Sequence, residues 1–200
     1  MIVESMTNEE LRKAVEADLE KVRVKSTHHL HSIEKVMRKT KMTRFKKYFP
    51  YFSPNKNHWI YGIVVTPKHT TMYYCVYYYT SKGITVLQPI STGCMYKFNG
   101  HVFERYFERQ QRNVNVPQQW IMQYMDETIG YCSKLLDEIA PGIFNVFITV
   151  PRGACLGTYN KKLNFHEVRT FITPEIMFPE QLAIYNETIK QIPDLLKKID

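Results

Sequence analysis

His101, Arg105 and Arg109 recur every four residues, just after the apolar run Gly93–Phe98 and the break at Asn99-Gly100. On a helix, each step of four drifts by only about 40°, so the three side chains share one face. One imidazole beside two guanidinium groups suits attack on a phosphodiester. Asn99 is placed to cap the helix, and the positive partial charge of a helix N-terminus disfavours imidazolium. A neutral histidine is a competent general base near neutral pH. Guanidinium groups match phosphate oxygens in pairs and keep their charge. In RNA the nucleophile can be the neighbouring 2′-hydroxyl, so this chemistry calls for no metal and no cofactor. The plain alternatives are a His101 that satisfies a polar spot at the helix end, and arginines paired with Glu104, Glu108 or another element.

The chain is basic, with 27 Lys and Arg against 19 Asp and Glu, a formal net charge of +8. That excess points to an anionic partner, most commonly nucleic acid; a basic but otherwise ordinary protein is the bland reading. The anomaly is concentrated between Lys35 and Lys56, which contains no Asp or Glu. Lys39, Lys41, Arg44, Lys46 and Lys47, with Arg112 beyond the His101 helix, are the candidate phosphate contacts. Phe45, Tyr48, Phe49, Tyr51 and Phe52 are interleaved with them. Basic plus aromatic is the composition of a surface that follows phosphates and stacks bases, here RNA rather than DNA. A solvated linker whose aromatics cap the core edge fits the same composition. The tyrosines of Met72–Tyr79 are a second candidate platform for bases, although strands favour tyrosine in any case.

These side chains need elements to hold them. Thr7-Asn-Glu-Glu10 is a capping box, and Leu11, Val15, Leu19 and Val22 follow at helical spacing, predicting a helix over 8–24 that can run on through Met37. Strands are expected at 58–66, 72–80, 84–87 and 93–98, and again at 143–150, 154–159 and 164–172. Between the two sets lie the His101 helix and a longer helix over 117–140, stopped by Pro141-Gly142. Thr173-Pro174-Glu175 opens a helical C-terminal stretch. The fold class is α+β, a mostly antiparallel sheet with flanking helices. The expected division is a helical, basic N-terminal arm over 1–56 and an α+β domain over 57–200.

Other chemistry is excluded or weak. Cys75, Cys94, Cys132 and Cys155 form no C-x-x-C pair, so zinc ribbons and thioredoxin-type motifs are absent, and reduced thiols in a cytoplasmic protein are expected. The N-terminus lacks a signal-peptide pattern, and no apolar run approaches the roughly 18 residues of a membrane span. His28, His29 and His31 lack a carboxylate or cysteine spaced to complete a metal site. Cys155 lies between glycines, with His166 as its one conceivable base, and reads better as a buried strand cysteine.

The His-x-x-x-Arg-x-x-x-Arg helix after a strand resembles the S-x-H-A-x-x-R-x-x-x-R pattern of small domains grouped with the barnase–EndoU–colicin–RelE class of toxins and ribonucleases. The resemblance covers His101, Arg105 and Arg109, and a late strand, Glu167–Ile172, that supplies Arg169 and Thr170. It implies a helical portion followed by an antiparallel sheet, metal-independent RNA cleavage and a protein inhibitor as a candidate partner. Three function classes follow: a toxin-like ribonuclease or an inactive relative, a non-catalytic nucleic-acid-binding protein, and a structural or interaction domain.

Overall fold

The computed structural model describes residues 1–90, 93–110, 117–128 and 130–192. Helix α1 spans Asn8–Thr40. Its capping box is closed in both directions, with the Thr7 amide donating to the Glu10 carboxylate at 2.7 Å and the Glu10 amide donating to Thr7 Oγ1 at 3.3 Å. It ends where Lys41 turns into the left-handed region at φ 55°. Leu11, Val15, Leu19 and Val22 are its buried stripe.

Nine strands follow: β1 Phe45–Phe52, β2 His58–Val65, β3 Thr70–Thr80, β4 Gly83–Pro89, β5 Met95–Asn99, β6 Cys132–Ala140, β7 Ile143–Val150, β8 Gly153–Asn160 and β9 Phe165–Ile172. They form one sheet in the order β1-β2-β3-β4-β5-β9-β8-β7-β6. Every neighbour is antiparallel except β5 and β9, which run parallel and join two meanders into one surface. Helices α2, Gly100–Arg109, and α3, Pro117–Glu127, sit in the crossover between those meanders. Helix α4 spans Pro179–Thr188.

The alternation of side chains along the strands gives each face its own core. On one face α1 packs over Trp59, Tyr61, Ile63, Leu87 and Phe165. On the other, Phe103 and Tyr106 of α2 and Tyr124 of α3 pack over Phe98, Val168 and Phe171. A smaller core of Phe147, Ala154 and Ile172 lies against Ile184 and Tyr185 of α4. The α+β class holds, with a sheet larger than flanking helices imply.

Two expectations are corrected. The helix expected over 117–140 ends at Glu127, and residues 132–140 are strand β6. Leu135, Leu136 and Ile139 have helical spacing, yet all three are exposed on an edge strand; the open edge of β7 outweighs local propensity. Residues 45–52, expected in a helical arm, are strand β1, paired with β2 along its full length from Phe45↔Val65 to Phe52↔His58. Among the described residues, no helix is long and apolar enough to cross a membrane.

Candidate nucleic-acid interface

Asn99 caps α2, accepting from the Val102 amide at 3.3 Å. Gly100 seats the start of the helix on the β3–β4 hairpin. A Cβ there would lie 3.1 Å from the carbonyl oxygen of Ile84, so glycine allows the close approach. Val102, Phe103, Tyr106 and Phe107 go into the core. His101 and Arg105 are left on the outer side, as their spacing requires.

Arg105 Nε donates to His101 Nε2 at 3.3 Å, and Arg105 Nη1 pairs with Glu108 at 2.7 Å. His101 Nδ1 lies 3.5 Å from the Glu104 carboxylate. The imidazole is thus strung between Glu104 and Arg105. Its Nε2 lone pair, the one a general base would use, already accepts a hydrogen bond. Arg109 extends one turn further and is partly covered, with Nη1 buried and without a hydrogen-bond partner. Burial, and after it the charge of Arg105, holds its pKa below the ordinary guanidinium range.

Arg169 and Thr170 do not join this set. Between Leu156↔Thr170 and Gly157↔Val168 the β8–β9 register shifts, leaving Arg169 as the extra residue of a bulge. Arg169 is exposed, and its charge acts on Glu167, which binds Lys97 at 3.0 Å and Asn8 of α1 at 3.1 Å. Burial pushes the Glu167 carboxyl up, and those hydrogen bonds with the charges of Lys97 and Arg169 bring it below its usual range. Among the described residues, no hydrogen bond or ion pair links Arg169 or Thr170 to His101, Arg105 or Arg109.

The basic stretch divides as well. Lys39 and Lys41 are exposed at the end of α1, and Arg44 is exposed just before β1. Lys46 pairs with Asp126 of α3, which also accepts from Tyr48 at 3.1 Å. Lys47 points to the opposite face, its ammonium 5.5 Å from the centre of the Phe49 ring. Adjacent strand residues face opposite ways, so a charge run in sequence is not a charged surface in space. Arg112 lies outside the described residues.

A different feature gathers at the far end of the same strands. Phe52, His58 and Tyr77 are in register across β1, β2 and β3. Their ring centres are 4.9 and 5.4 Å apart, and Tyr79 continues the row 6.1 Å from Tyr77. Phe52 is 58% exposed and Tyr79 60%; His58 is exposed too. Tyr77 is buried, its hydroxyl accepting from Gln118 of α3 at 2.6 Å. Lys56 and Lys82 are exposed in the two turns at this end, and Glu4 holds the Ser81 amide beside Lys82 at 2.9 Å. Tyr79 is paired with Ile84, on which α2 begins, so the row leads toward the His101 helix. Tyr77 and Tyr79 belonged to the tyrosine run and Phe52 to the basic and aromatic stretch visible in sequence; adding His58 and joining the rings into one row needs the strand register.

The remaining sequence candidates are structural. The Cys155 thiol is buried beside the Tyr124 hydroxyl at 3.2 Å, and burial pushes its pKa up to about 12. His29 shares a 2.6 Å hydrogen bond with the Tyr61 hydroxyl. No group of three or more His, Cys, Asp or Glu among the described residues could hold a metal. Compared with protein-family models, curated proteins and solved structures, the chain has no significant match.

Proposed function

We propose that this protein binds single-stranded RNA without cleaving it, laying bases on the Phe52–His58–Tyr79 row. Lys56 and Lys82 provide the flanking positive charge. The observation that carries this reading is the exposure of an aromatic row crossing three strands, at the end of the sheet where α2 begins. Large aromatic side chains normally go inside, and exposed ones in a row invite ring stacking. Single-stranded RNA offers splayed bases for such surfaces, and the net charge favours its backbone. The test is fluorescence anisotropy with labelled single-stranded RNA and DNA oligonucleotides across a salt series. Each base–aromatic stack is worth about 1–3 kcal/mol, so Phe52→Ala and Tyr79→Ala each weaken binding about 5- to 150-fold. Affinity falls with salt at a log–log slope of about −0.7 per phosphate contacted. Absence of binding at low salt, or full affinity in both variants, sinks the reading.

Cleavage on α2 is the second reading, favoured by the contiguous Glu104–His101–Arg105 string. A carboxylate orienting an imidazole is the usual arrangement around a general base. Here, however, Arg105 occupies the working lone pair, and the string lies on an open helix surface. A protein inhibitor belongs to this reading alone. Cleavage would leave cyclic phosphate ends and would be indifferent to chelators.

A further inference from the structure

Strand β3 outruns its neighbour. Val76 and Tyr77 pair with both β2 and β4 and Tyr78–Thr80 with β4 alone, whereas the first half of β3, from Thr70 to Cys75, pairs with β2 alone. Strand β4 instead ends beside β5 at Pro89, which has no amide hydrogen to continue a ladder. The two strands fork, and a cavity of about 860 Å³ opens there, between Thr71–Tyr74 on one side and Pro89 and Cys94 on the other. The second meander rolls over it. Ser133 of β6, four strands from β5 in the sheet order, brings its hydroxyl within 2.9 Å of the Tyr96 hydroxyl.

The walls are ring faces. Tyr96 stacks on His166 with centres 4.3 Å apart and planes at 7°, and Tyr131 and Tyr159 close around the pair. Four of the phenol hydroxyls in the lining are already used. Tyr96 bonds Ser133, Tyr131 donates to Gln88 at 3.0 Å, Tyr159 donates to Asn164 at 3.1 Å, and Tyr74 bonds Ser26 at 2.9 Å. These tyrosines therefore offer carbon rather than oxygen to an occupant.

Two groups stand out among the polar side chains of the lining. His166 lines the cavity, is 95% buried on its 5% relative exposure, and has no partner for Nδ1. Burial lowers its pKa to about 4, so at neutral pH it is uncharged, with one donor and one acceptor nitrogen. Arg23 of α1 is the one charged residue among the described residues of the lining. Its side chain is half exposed and its contact with Glu20 is long, 3.9 Å. With no carboxylate among the described residues of the lining, a cationic occupant has no counter-ion; with one arginine, a polyphosphate is under-neutralised. A volume of this size is in the range of small-molecule sites.

We propose that this cavity binds a small aromatic molecule bearing a single negative charge, its rings among the tyrosines and its acid group on Arg23. His166 meets a polar atom on the ring system. This site is at the opposite end of β3 from Tyr79 and does not depend on the RNA reading.

The probes are anilinonaphthalene sulfonate and its uncharged analogue N-phenyl-1-naphthylamine, titrated by fluorescence against the full chain. Both are expected to saturate at one per chain, with the sulfonate tighter. Arg23→Met weakens the sulfonate by about tenfold or more, the worth of a charge-assisted hydrogen bond, and leaves the uncharged analogue within about twofold. Leu135→Trp, at the exposed rim, and Thr71→Trp, on the unpaired edge of β3, weaken both probes. Far-ultraviolet circular dichroism and thermal melts confirm that each variant folds; Leu135→Trp changes an exposed side chain and keeps the test open if Thr71→Trp unfolds. The proposal is overturned if Arg23→Met leaves the ratio of the two affinities unchanged, or if a folded Leu135→Trp binds both probes as the parent does. It is equally overturned if the parent fails to saturate, or if its signal grows through the thermal transition as loosely packed chains bind such dyes.

Discussion

Replacing Asp18 by alanine should cost more than any single surface change in this protein. Asp18 is fully buried on α1. Its carboxylate accepts from Trp59 Nε1 at 2.7 Å, Asn57 Nδ2 at 3.0 Å and Asn55 Nδ2 at 3.2 Å. These bonds fasten α1 to the β1–β2 turn, and Asn57 passes the link on by accepting from the Ile2 amide at 2.7 Å. Alanine leaves the Trp59 indole and the Asn57 amide as buried donors without partners, while the exposed Asn55 can turn to water. Each stranded donor costs about 1–3 kcal/mol, giving about 2–6 kcal/mol together. In a domain of this size, 1 kcal/mol moves Tm by about 2–4 °C, so a loss near the middle of that range lowers Tm by about 8–16 °C. Asp18→Asn keeps an accepting oxygen but turns an NH2 toward donors, and should fall between parent and alanine. Urea unfolding followed by tryptophan fluorescence, from Trp59 and Trp120 together, measures both variants. A midpoint for Asp18→Ala corresponding to less than about 1 kcal/mol would refute the assignment of α1 anchoring to this carboxylate.

The other expectations are smaller in scope. His101→Ala leaves the melting temperature close to the parent's, because the ring is exposed and its contacts lie within one helix; loss of RNA cleavage by a parent that cleaves would instead support the catalytic reading. Arg105→Lys removes a planar donor fork and should reduce RNA affinity by a few-fold if the outer side of α2 meets phosphates, with no change if it does not. Stability should fall as pH drops from about 6.5 toward 4: His166 takes up its proton in the unfolded chain near 6.5 and in the folded one only near 4. The unfolded state binds more protons across that window, so the stability present above 6.5 is lost by up to about 3 kcal/mol on descending through it. His29, also lowered by burial, adds in the same sense. His166→Phe should flatten the profile between these pH values, and an unaltered slope in urea midpoints would contradict it.

Helix α2, with its Asn99 cap, was legible because its signals are local. A cap, a glycine and an aromatic stripe all lie within one short segment, and the structure places each as its chemistry demands. Strands β2 to β5 before it and β7 to β9 after it were legible for the same reason, since β-branched and aromatic runs bounded by turn residues need no distant partner to be recognised, whereas β1, crowded with lysines, was not. Strand β6 was not. Its leucines and isoleucine repeat at helical spacing, and what makes it a strand is the unpaired edge of β7, a fact about another segment. The parallel junction of β5 and β9 has no sequence signal either, since it depends on which strands are left without neighbours after the hairpins close.

The candidate sites separate along the same line. Counting charges from Lys35 to Lys56 assumes that neighbours in sequence are neighbours on a surface, an assumption that holds on a helix face every fourth residue and fails on a strand at every step. Once β1 forms, Lys46 is consumed by Asp126 and Lys47 is turned to the other side of the sheet, leaving Lys39, Lys41 and Arg44 at the end of the strands farthest from the exposed rings and Lys56 alone of the stretch at the ring end. Phe52 and Tyr79, 27 positions apart by residue number, enter one aromatic row because β2 and β3 hold His58 and Tyr77 between them. His166 and Tyr96 meet only through the parallel pair, and Ser133 reaches Tyr96 only because the second meander curls. Register and curvature therefore decide which side chains of this chain are available to a ligand. Substitutions that shift register, at the β9 bulge for instance, should disturb the cavity around Tyr96 and His166 more than they disturb the local cap and face of α2.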